Sequence, residues 1–307
     1  MNIRLSNKND HSQIRALWEV IFPEDSKEYL DFYFNVVMKE NQVIIAEDLS
    51  KDILEIVAML HLNPYSINNE KEHLKIFYIV AVATREDYRR RGLMRKMLNY
   101  AEELSMEQNV DYLVLLPADE RYYKPFGYQF VSKQYNTTIY TEKYLNELNN
   151  QAYTKHISNA LRFKEFEKCF LNTRFENDED FSPMQTPELA YRIYQETRSE
   201  NGQIYEIDGN LILLYQFGEN KDPKIEIRKI YYNKNCNRPI ENYKKIKQFL
   251  LHFANGRPII IHEVEERKVT SCFAYNRQNT YDCRPYMMIK KCSNKKMVKN
   301  MYFDEMV

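Results

Sequence analysis

The stretch Phe77-Tyr-Ile-Val-Ala-Val-Ala-Thr-Arg-Glu-Asp-Tyr-Arg-Arg-Arg-Gly-Leu-Met-Arg-Lys-Met-Leu98 constrains the fold of this chain more than any other. Residues Ile76 to Thr84 are almost continuously apolar and rich in Val and Ile, which suits a strand buried on both faces. From Leu93 onward the apolar positions fall at Met94, Met97, Leu98, Ala101 and Leu104, the single stripe of an amphipathic helix. Strand therefore gives way to helix at Gly92.

The junction has a chemical use. The first amides of a helix lack intrahelical partners and carry partial positive charge, so they receive an anion held just beyond them. Gly92 lets the backbone come close, and Arg89, Arg90 and Arg91 supply guanidinium forks for a polyphosphate. A P-loop needs Gly-x-x-x-x-Gly-Lys-Ser/Thr and a dinucleotide turn needs Gly-x-Gly-x-x-Gly; the segment has neither. The ligand is some other phosphorylated carrier.

Arg89-Arg-Arg-Gly92-Leu93-Met94 resembles the Arg/Gln-x-x-Gly-x-Gly/Ala loop with which the GCN5-related N-acetyltransferases (GNAT) wrap the pyrophosphate of acetyl-coenzyme A. Met94 departs from the pattern, which prefers Gly or Ala there; bulkier aliphatic residues occur in the Eis-like branch. A strand at Tyr112 to Leu116 is followed by Tyr123-Lys-Pro-Phe-Gly127-Tyr128, which resembles the family's Tyr-x-x-x-Gly-Phe and is especially similar to Eis-like enzymes. Three successive arginines alone also suit a solvated loop, and Tyr123 is one of 25 tyrosines. The order of the two motifs across residues 76 to 130 carries the resemblance.

The resemblance implies an α/β (α+β) fold, a mixed central sheet flanked by helices in tandem acyltransferase domains, the second degenerate. Residues 1–145 would be the catalytic, acetyl-CoA-binding domain and 146–307 the degenerate copy with a C-terminal tail. It implies an enzyme moving an acetyl group from acetyl-CoA to a primary amine, on a small molecule or a lysine side chain. Main-chain amides around Val80 and Val82 would bond the pantetheine arm and help hold the oxyanion. Tyr123 would act as general acid, since a phenol with an ordinary pKa of about 10 keeps its proton at neutral pH and can give it to the leaving thiolate. The central strand has no acid at its middle to serve as base, and the Eis-like resemblance implies the C-terminal carboxylate, here Val307. The alternative is a non-catalytic acyl-CoA-binding or regulatory protein, which would need no proton donor at Tyr123.

Lysine plus arginine equals aspartate plus glutamate at 44 each, so no global field favours nucleic acid or an anionic membrane. No stretch approaches the roughly 20 apolar residues of a membrane span, and no signal pattern opens the sequence. Cys169, Cys236, Cys272, Cys283 and Cys292 are odd in number without a Cys-x-x-Cys pair, and six scattered histidines lack ligand spacing. No disulfide framework and no metal are expected, and a cytoplasmic setting fits. Homo-oligomerisation is left open.

In chain order, Ile3 to Leu5 reads as a strand. Asp10 caps a helix that places Gln13 at the third position and Ile14, Leu17, Trp18 and Ile21 on one face. Pro23 ends it, and a second helix is expected from Glu24 to Met38. Val43 to Glu47 and Glu55 to Leu62 form a strand pair. Glu24 and Asp25 can attract a cationic acceptor amine between Phe22 and Phe32; the commoner pattern is carboxylates at a helix N-terminus beside core aromatics. Later, Thr186-Pro187 opens a helix, and Asp208-Gly209 turns a hairpin between Gln203 to Ile207 and Leu211 to Phe217. A strand at Lys224 to Tyr232, a helix striped by Tyr243, Ile246, Leu250 and Phe253, and a strand at Pro258 to His262 complete a repeat of the first half. Asn233 to Pro239 takes the place of the arginine loop without any glycine, so no cofactor is expected there. A last strand is expected at Pro285 to Lys290, and the chain is too short for the third domain of Eis-type proteins.

Overall fold

The computed structural model describes residues 1–50, 54–69, 71–145, 160–174, 181–217, 224–235, 239–264, 268–273, 278–293, 297–298 and 301. The chain forms two compact units, one of residues 1–131, 179–184 and 286–307, the other of residues 132–178 and 185–285.

The first unit contains β1 (Asn2–Leu5), α1 (His11–Ile21), α2 (Lys27–Asn35), β2 (Gln42–Asp48), β3 (Glu55–Asn68), β4 (His73–Thr84), α3 (Leu93–Glu107), β5 (Tyr112–Leu115) and β6 (Gln129–Phe130). From far along the chain it adds β9 (Ser182–Pro183) and β15 (Met288–Lys291). Its sheet runs β1-β2-β3-β4-β5-β15-β6, with β9 on β3. β4 and β5 are parallel, and α3 is the crossover between them. Leu93, Met97, Leu98, Ala101 and Leu104 of α3 bury against one sheet face, meeting Ile44, Ala46, Leu60 and Leu62. Strand side chains alternate faces, so the intervening His61 meets α1 instead, its ring centroid 5.1 Å from that of Trp18.

The second helix begins at Lys27, not at Glu24, because the Ser26 side chain accepts from the Tyr29 amide at 3.1 Å and caps it. Asp10 makes no cap bond to α1. Its carboxylate accepts from the Arg4 guanidinium at 2.7 and 3.0 Å and from the Asn7 amide at 2.7 Å. Gln13 accepts from the Ile56 amide at 3.1 Å, tying α1 to β3.

The second unit contains β7 (Lys133–Ile139), α4 (Phe163–Phe170), β8 (Thr173–Arg174), α5 (Pro187–Ser199), β10 (Gln203–Ile207), β11 (Asn210–Phe217), β12 (Lys224–Asn233), α6 (Pro239–Ala254), β13 (Ile259–Val264) and β14 (Thr280–Pro285). Its sheet runs β10-β11-β12-β13-β7-β14, with β8 on β12. Asp208 and Gly209 turn the hairpin at φ 51° and 80°, the positive angles such a turn requires. Where one strand was expected at Pro285 to Lys290, β14 ends at Pro285 and β15 begins at Met288, each in a different sheet.

Hairpin, strand, crossover helix and parallel strand recur: β2, β3, β4, α3 and β5 in the first unit, β10, β11, β12, α6 and β13 in the second. The third strand of each set carries a bulge. Between the pairs Met59↔Ala83 and His61↔Val80 the β4 strand advances one residue more than β3. Between Leu213↔Lys229 and Leu214↔Ile227 the extra residue is Arg228. No helix among the described residues is long and apolar enough to cross a membrane.

Candidate functional site

The parallel pairing of β4 with β5 runs from Ile76↔Tyr112 to Ile79↔Leu115 and stops there, although β4 continues to Thr84. Among the described residues no strand pairs with Val80 to Thr84 on that side. The bulge falls at the same point, where Ala81 holds φ 47°, a left-handed conformation that costs a non-glycine residue free energy. The Val80 side chain is buried and that of Val82 leans on the core beneath α3. What this segment presents outward is main chain, the usual binding partner of an extended amide-bearing ligand.

Immediately beyond lies the α3 N-terminus. Its first intrahelical bond is donated by the Lys96 amide to the Gly92 carbonyl at 3.2 Å, so the amides of Leu93, Met94 and Arg95 precede the ladder. No side chain caps this end and no acid stands in the first turn, whereas Ser26 caps α2 and Thr186 caps α5. Gly92 sits at φ 74°, and a Cβ there would meet nothing within 4 Å. The conformation demands the glycine, because left-handed φ is open to it without penalty. Arg90 also takes a positive φ, 62°.

The three arginines are exposed but not equivalent. Arg89 Nε donates to the Thr84 carbonyl at 3.2 Å. Arg91 Nη2 donates to the Asp87 carbonyl at 2.8 Å, and its guanidinium lies 4.6 Å from the centre of the Tyr88 ring. Arg90 makes no hydrogen bond or ion pair among the described residues. Leu93 is 3% exposed and packs in the core, so only its amide faces the loop; Met94 is half-buried against the same cluster.

Tyr123 follows β5, between Asp119, which caps a short turn through the Arg121 amide at 2.9 Å, and Gly127 at φ 85°. It belongs to the buried cluster of Leu93, Met97 and Leu115, with its ring edge-on to Tyr128 at 5.8 Å. Arg95, in the first turn of α3, lies 5.5 Å from the centre of the Phe126 ring, so the tyrosine turn packs beside the uncapped helix end. Burial pushes the Tyr123 phenol up to about 12. Burial is the sole cause of that rise, and the hydroxyl of neighbouring Tyr128 is buried without a hydrogen-bond partner among the described residues.

On the α1 side, the Trp18 indole donates to Asp25 Oδ2 at 2.7 Å and its ring lies 5.8 Å from that of Phe22. Burial raises the Asp25 carboxyl, partly offset by that bond, and neighbouring Glu24 raises it further. Phe22 and Asp25 are thus gathered around Trp18, Glu24 stays exposed and Phe32 is buried. Val307 lies outside the described residues. Sequence reading passed over a buried polar group beneath Trp18: Tyr33 Oη lies 3.1 Å from His61 Nδ1 and donates to Asn63 Oδ1 at 3.1 Å. Burial drives the imidazole down to about 3, so it is neutral. Three polar residues on alternating strand and helix positions gave no motif from which to find it. Among the described residues no metal-binding group of histidine, cysteine and acidic side chains gathers.

Residues 2–131 match the family model for an acetyltransferase (GNAT) domain. No curated protein matches the chain. Among solved structures, a probable N-acyltransferase from Enterococcus faecalis is similar over 95% of this chain and 73% of its own, at 13% identity and a TM-score of 0.71. A GCN5-related N-acetyltransferase from Anabaena variabilis is similar over 95% and 73%, at 14% identity and 0.70. Eis1 from Mycobacterium abscessus is similar over 95% and 74%, at 8% identity and 0.69. At such identities the likeness is one of fold, and it extends through both units.

Proposed function

We propose, from the premise that residues 2–131 belong to the GNAT family of acetyltransferase domains, that this chain is an acetyl-CoA-dependent N-acetyltransferase acting on a primary amine. One observation carries the cofactor reading: a helix end without cap or acid, preceded by Arg89, Arg90 and Arg91 and adjoining a half-strand that among the described residues pairs on its β3 side alone. An uncapped N-terminus flanked by cations suits a polyphosphate, and free strand amides suit a pantetheine arm. Acetyl-CoA supplies an activated acetyl thioester.

The residues would divide the work as follows. The amides of Gly92, Leu93 and Met94 and the arginines hold the pyrophosphate, and main chain around Val80 and Val82 orients the thioester. Tyr123, neutral at every ordinary pH because burial raises it to about 12, delivers the Oη proton to the departing sulfur. Asp25 and Glu24, with Phe22, draw the cationic acceptor, a small amine or a lysine side chain. The C-terminal carboxylate of Val307 is the proposed base. Removing residues 302–307 should then lower turnover while leaving the acetyl-CoA Kd unchanged.

Residues 1–145 are assigned the catalysis, completed by β15, and the second half is assigned no cofactor. Its bulge residue Arg228 spends its charge on Glu200 at 2.6 Å and Glu226 at 2.9 Å. Against the second reading, a non-catalytic acyl-CoA binder, stands the Tyr123 phenol, set in the cluster beside the uncapped helix end and kept protonated by burial, a donor that binding alone does not need.

Thermal unfolding with and without acetyl-CoA tests the proposal. At about 100 times Kd, binding to the native state alone adds ~2.7 kcal/mol and raises the midpoint by several degrees. The rise should shrink in Arg89→Ala/Arg91→Ala, which leaves Arg90 alone of the three. No rise in the wild type would overturn the assignment.

A further inference from the structure

The proposed chemistry leaves unused the residue just before the arginine loop. Tyr88 is 5% exposed and packs in the cluster of Leu93 and Met97. Its hydroxyl donates to Asp48 Oδ2 at 2.7 Å, and Asp48 closes β2, forty positions earlier in the chain. The other Asp48 oxygen accepts from the Ser50 amide at 3.0 Å and the Ser50 hydroxyl at 2.7 Å. Two guanidinium groups flank the tyrosine ring, those of Arg85 and Arg91, each 4.6 Å from its centre. Arg85 is itself fixed by Glu55 at the start of β3 and by Asp87, its Nε 2.7 Å from Asp87 Oδ1. The ends of β2 and β3 thus grip the segment from Arg85 to Arg91 through one aromatic hub.

Core packing alone would be served as well by phenylalanine. A buried hydroxyl needs a partner, and this one has a charged acceptor from another strand, giving a bond of the stronger, charge-assisted kind. We propose that Tyr88 is a positioning residue for the phosphate cradle: its hydroxyl latches the loop to Asp48 and its ring seats Arg91, so that the loop amides, Arg89 and Arg90 are set before the ligand arrives. The inference rests on the acetyl-CoA reading of that loop. Ordering a loop beforehand removes a cost otherwise met on binding. Arg91 is then part of the support, and the charge free for phosphate is that of Arg90 and of the terminal nitrogens of Arg89.

The test compares Kd for acetyl-CoA with Kd for acetyl-pantetheine, the same thioester without the nucleotide phosphates. Tyr88→Phe should weaken acetyl-CoA roughly tenfold, the scale of one lost hydrogen bond to a charged group, and leave acetyl-pantetheine unchanged. Asp48→Ala should reproduce that pattern, and Asp48→Asn, which keeps one acceptor oxygen but loses the charge, should weaken acetyl-CoA less than Asp48→Ala does. A Tyr88→Phe or Asp48→Ala protein that binds acetyl-CoA normally, or weakens both ligands alike, would overturn the latch. Should Tyr88→Phe fail to fold, the Asp48 pair alone decides. A wild type that binds acetyl-pantetheine but gains nothing from the phosphates would overturn the cradle and the latch together.

Discussion

At Tyr123 the question is where a proton sits. Burial places its phenol at about 12, above the ordinary value of about 10. The neutral acid therefore persists throughout any usable assay range. A raised folded-state value contributes stability that is constant below the unfolded value and declines as pH rises through the folded one, so loss attributable to Tyr123 begins only above about pH 10. The rate should climb with pH as the acceptor amine loses its proton, with no alkaline fall below about pH 11. Tyr123→Phe should lower the rate by about a hundred- to ten-thousand-fold with the acetyl-CoA Kd unchanged, measured by thiol release and calorimetry. At Gly92 a methyl group would meet nothing, yet φ 74° would remain. Gly92→Ala should cost about 1–2 kcal/mol by thermal unfolding and weaken acetyl-CoA as well. The glycine, the arginines and Tyr123 were legible as letters because motifs record chemistry. The unequal use of the arginines was not, since it depends on where Tyr88 and Asp48 meet.

Between elements, the guanidinium of Arg4 joins β1 to two other places. It bonds Asp10 before α1 at 2.7 Å and Glu47 on β2 at 2.7 Å. The Arg4 bond holds the Asp10 carboxyl below its usual range. For Glu47, burial works against ionisation, but the bonds from Arg4 and Asn2 outweigh it and its carboxyl also lies low. Depressed carboxylates add stability that is present above the unfolded values of about 4 and lost as pH falls through the folded ones. Arg4→Met should destabilise by about 1–3 kcal/mol near neutrality and flatten the acid limb of the stability profile, read by urea unfolding at stepped pH. Periodicity made β2 to β5, α1, α3 and the Thr186-capped α5 readable, because each buries one regular stripe or a continuous apolar run. It misplaced the start of α2, where the Ser26 cap prevailed over nearby acids. It also passed over β7, Lys133–Ile139, whose Gln134 and Thr137 are buried polar residues and give no apolar alternation.

For the whole molecule, the two sheets draw on the chain discontinuously. The first is interrupted in sequence after β6 and recovers β15 only near the far end, where Met288 and Ile289 are fully buried between β5 and β6. A fragment ending at residue 145 should therefore lack a strand its sheet requires, leaving the facing edges of β5 and β6 unpaired. We expect it to be largely insoluble, and adding residues 286–291 as a peptide should recover soluble, cooperatively melting protein. Soluble, normally melting fragment without the peptide would contradict this. The fold class could be read from the repeat of hairpin, strand, helix and strand. The membership of β15 could not, because four residues of strand carry no record of which distant sheet they complete.

That late strand also sets a clock for synthesis. β6 ends at Phe130 and β15 at Lys291, so the ribosome adds 291 − 130 = 161 residues before the first sheet can close. At about 5–20 residues per second this lasts roughly 10–30 s. Throughout it the nascent chain carries two unpaired edges next to an already collapsed core, and a holding chaperone has its longest opportunity there.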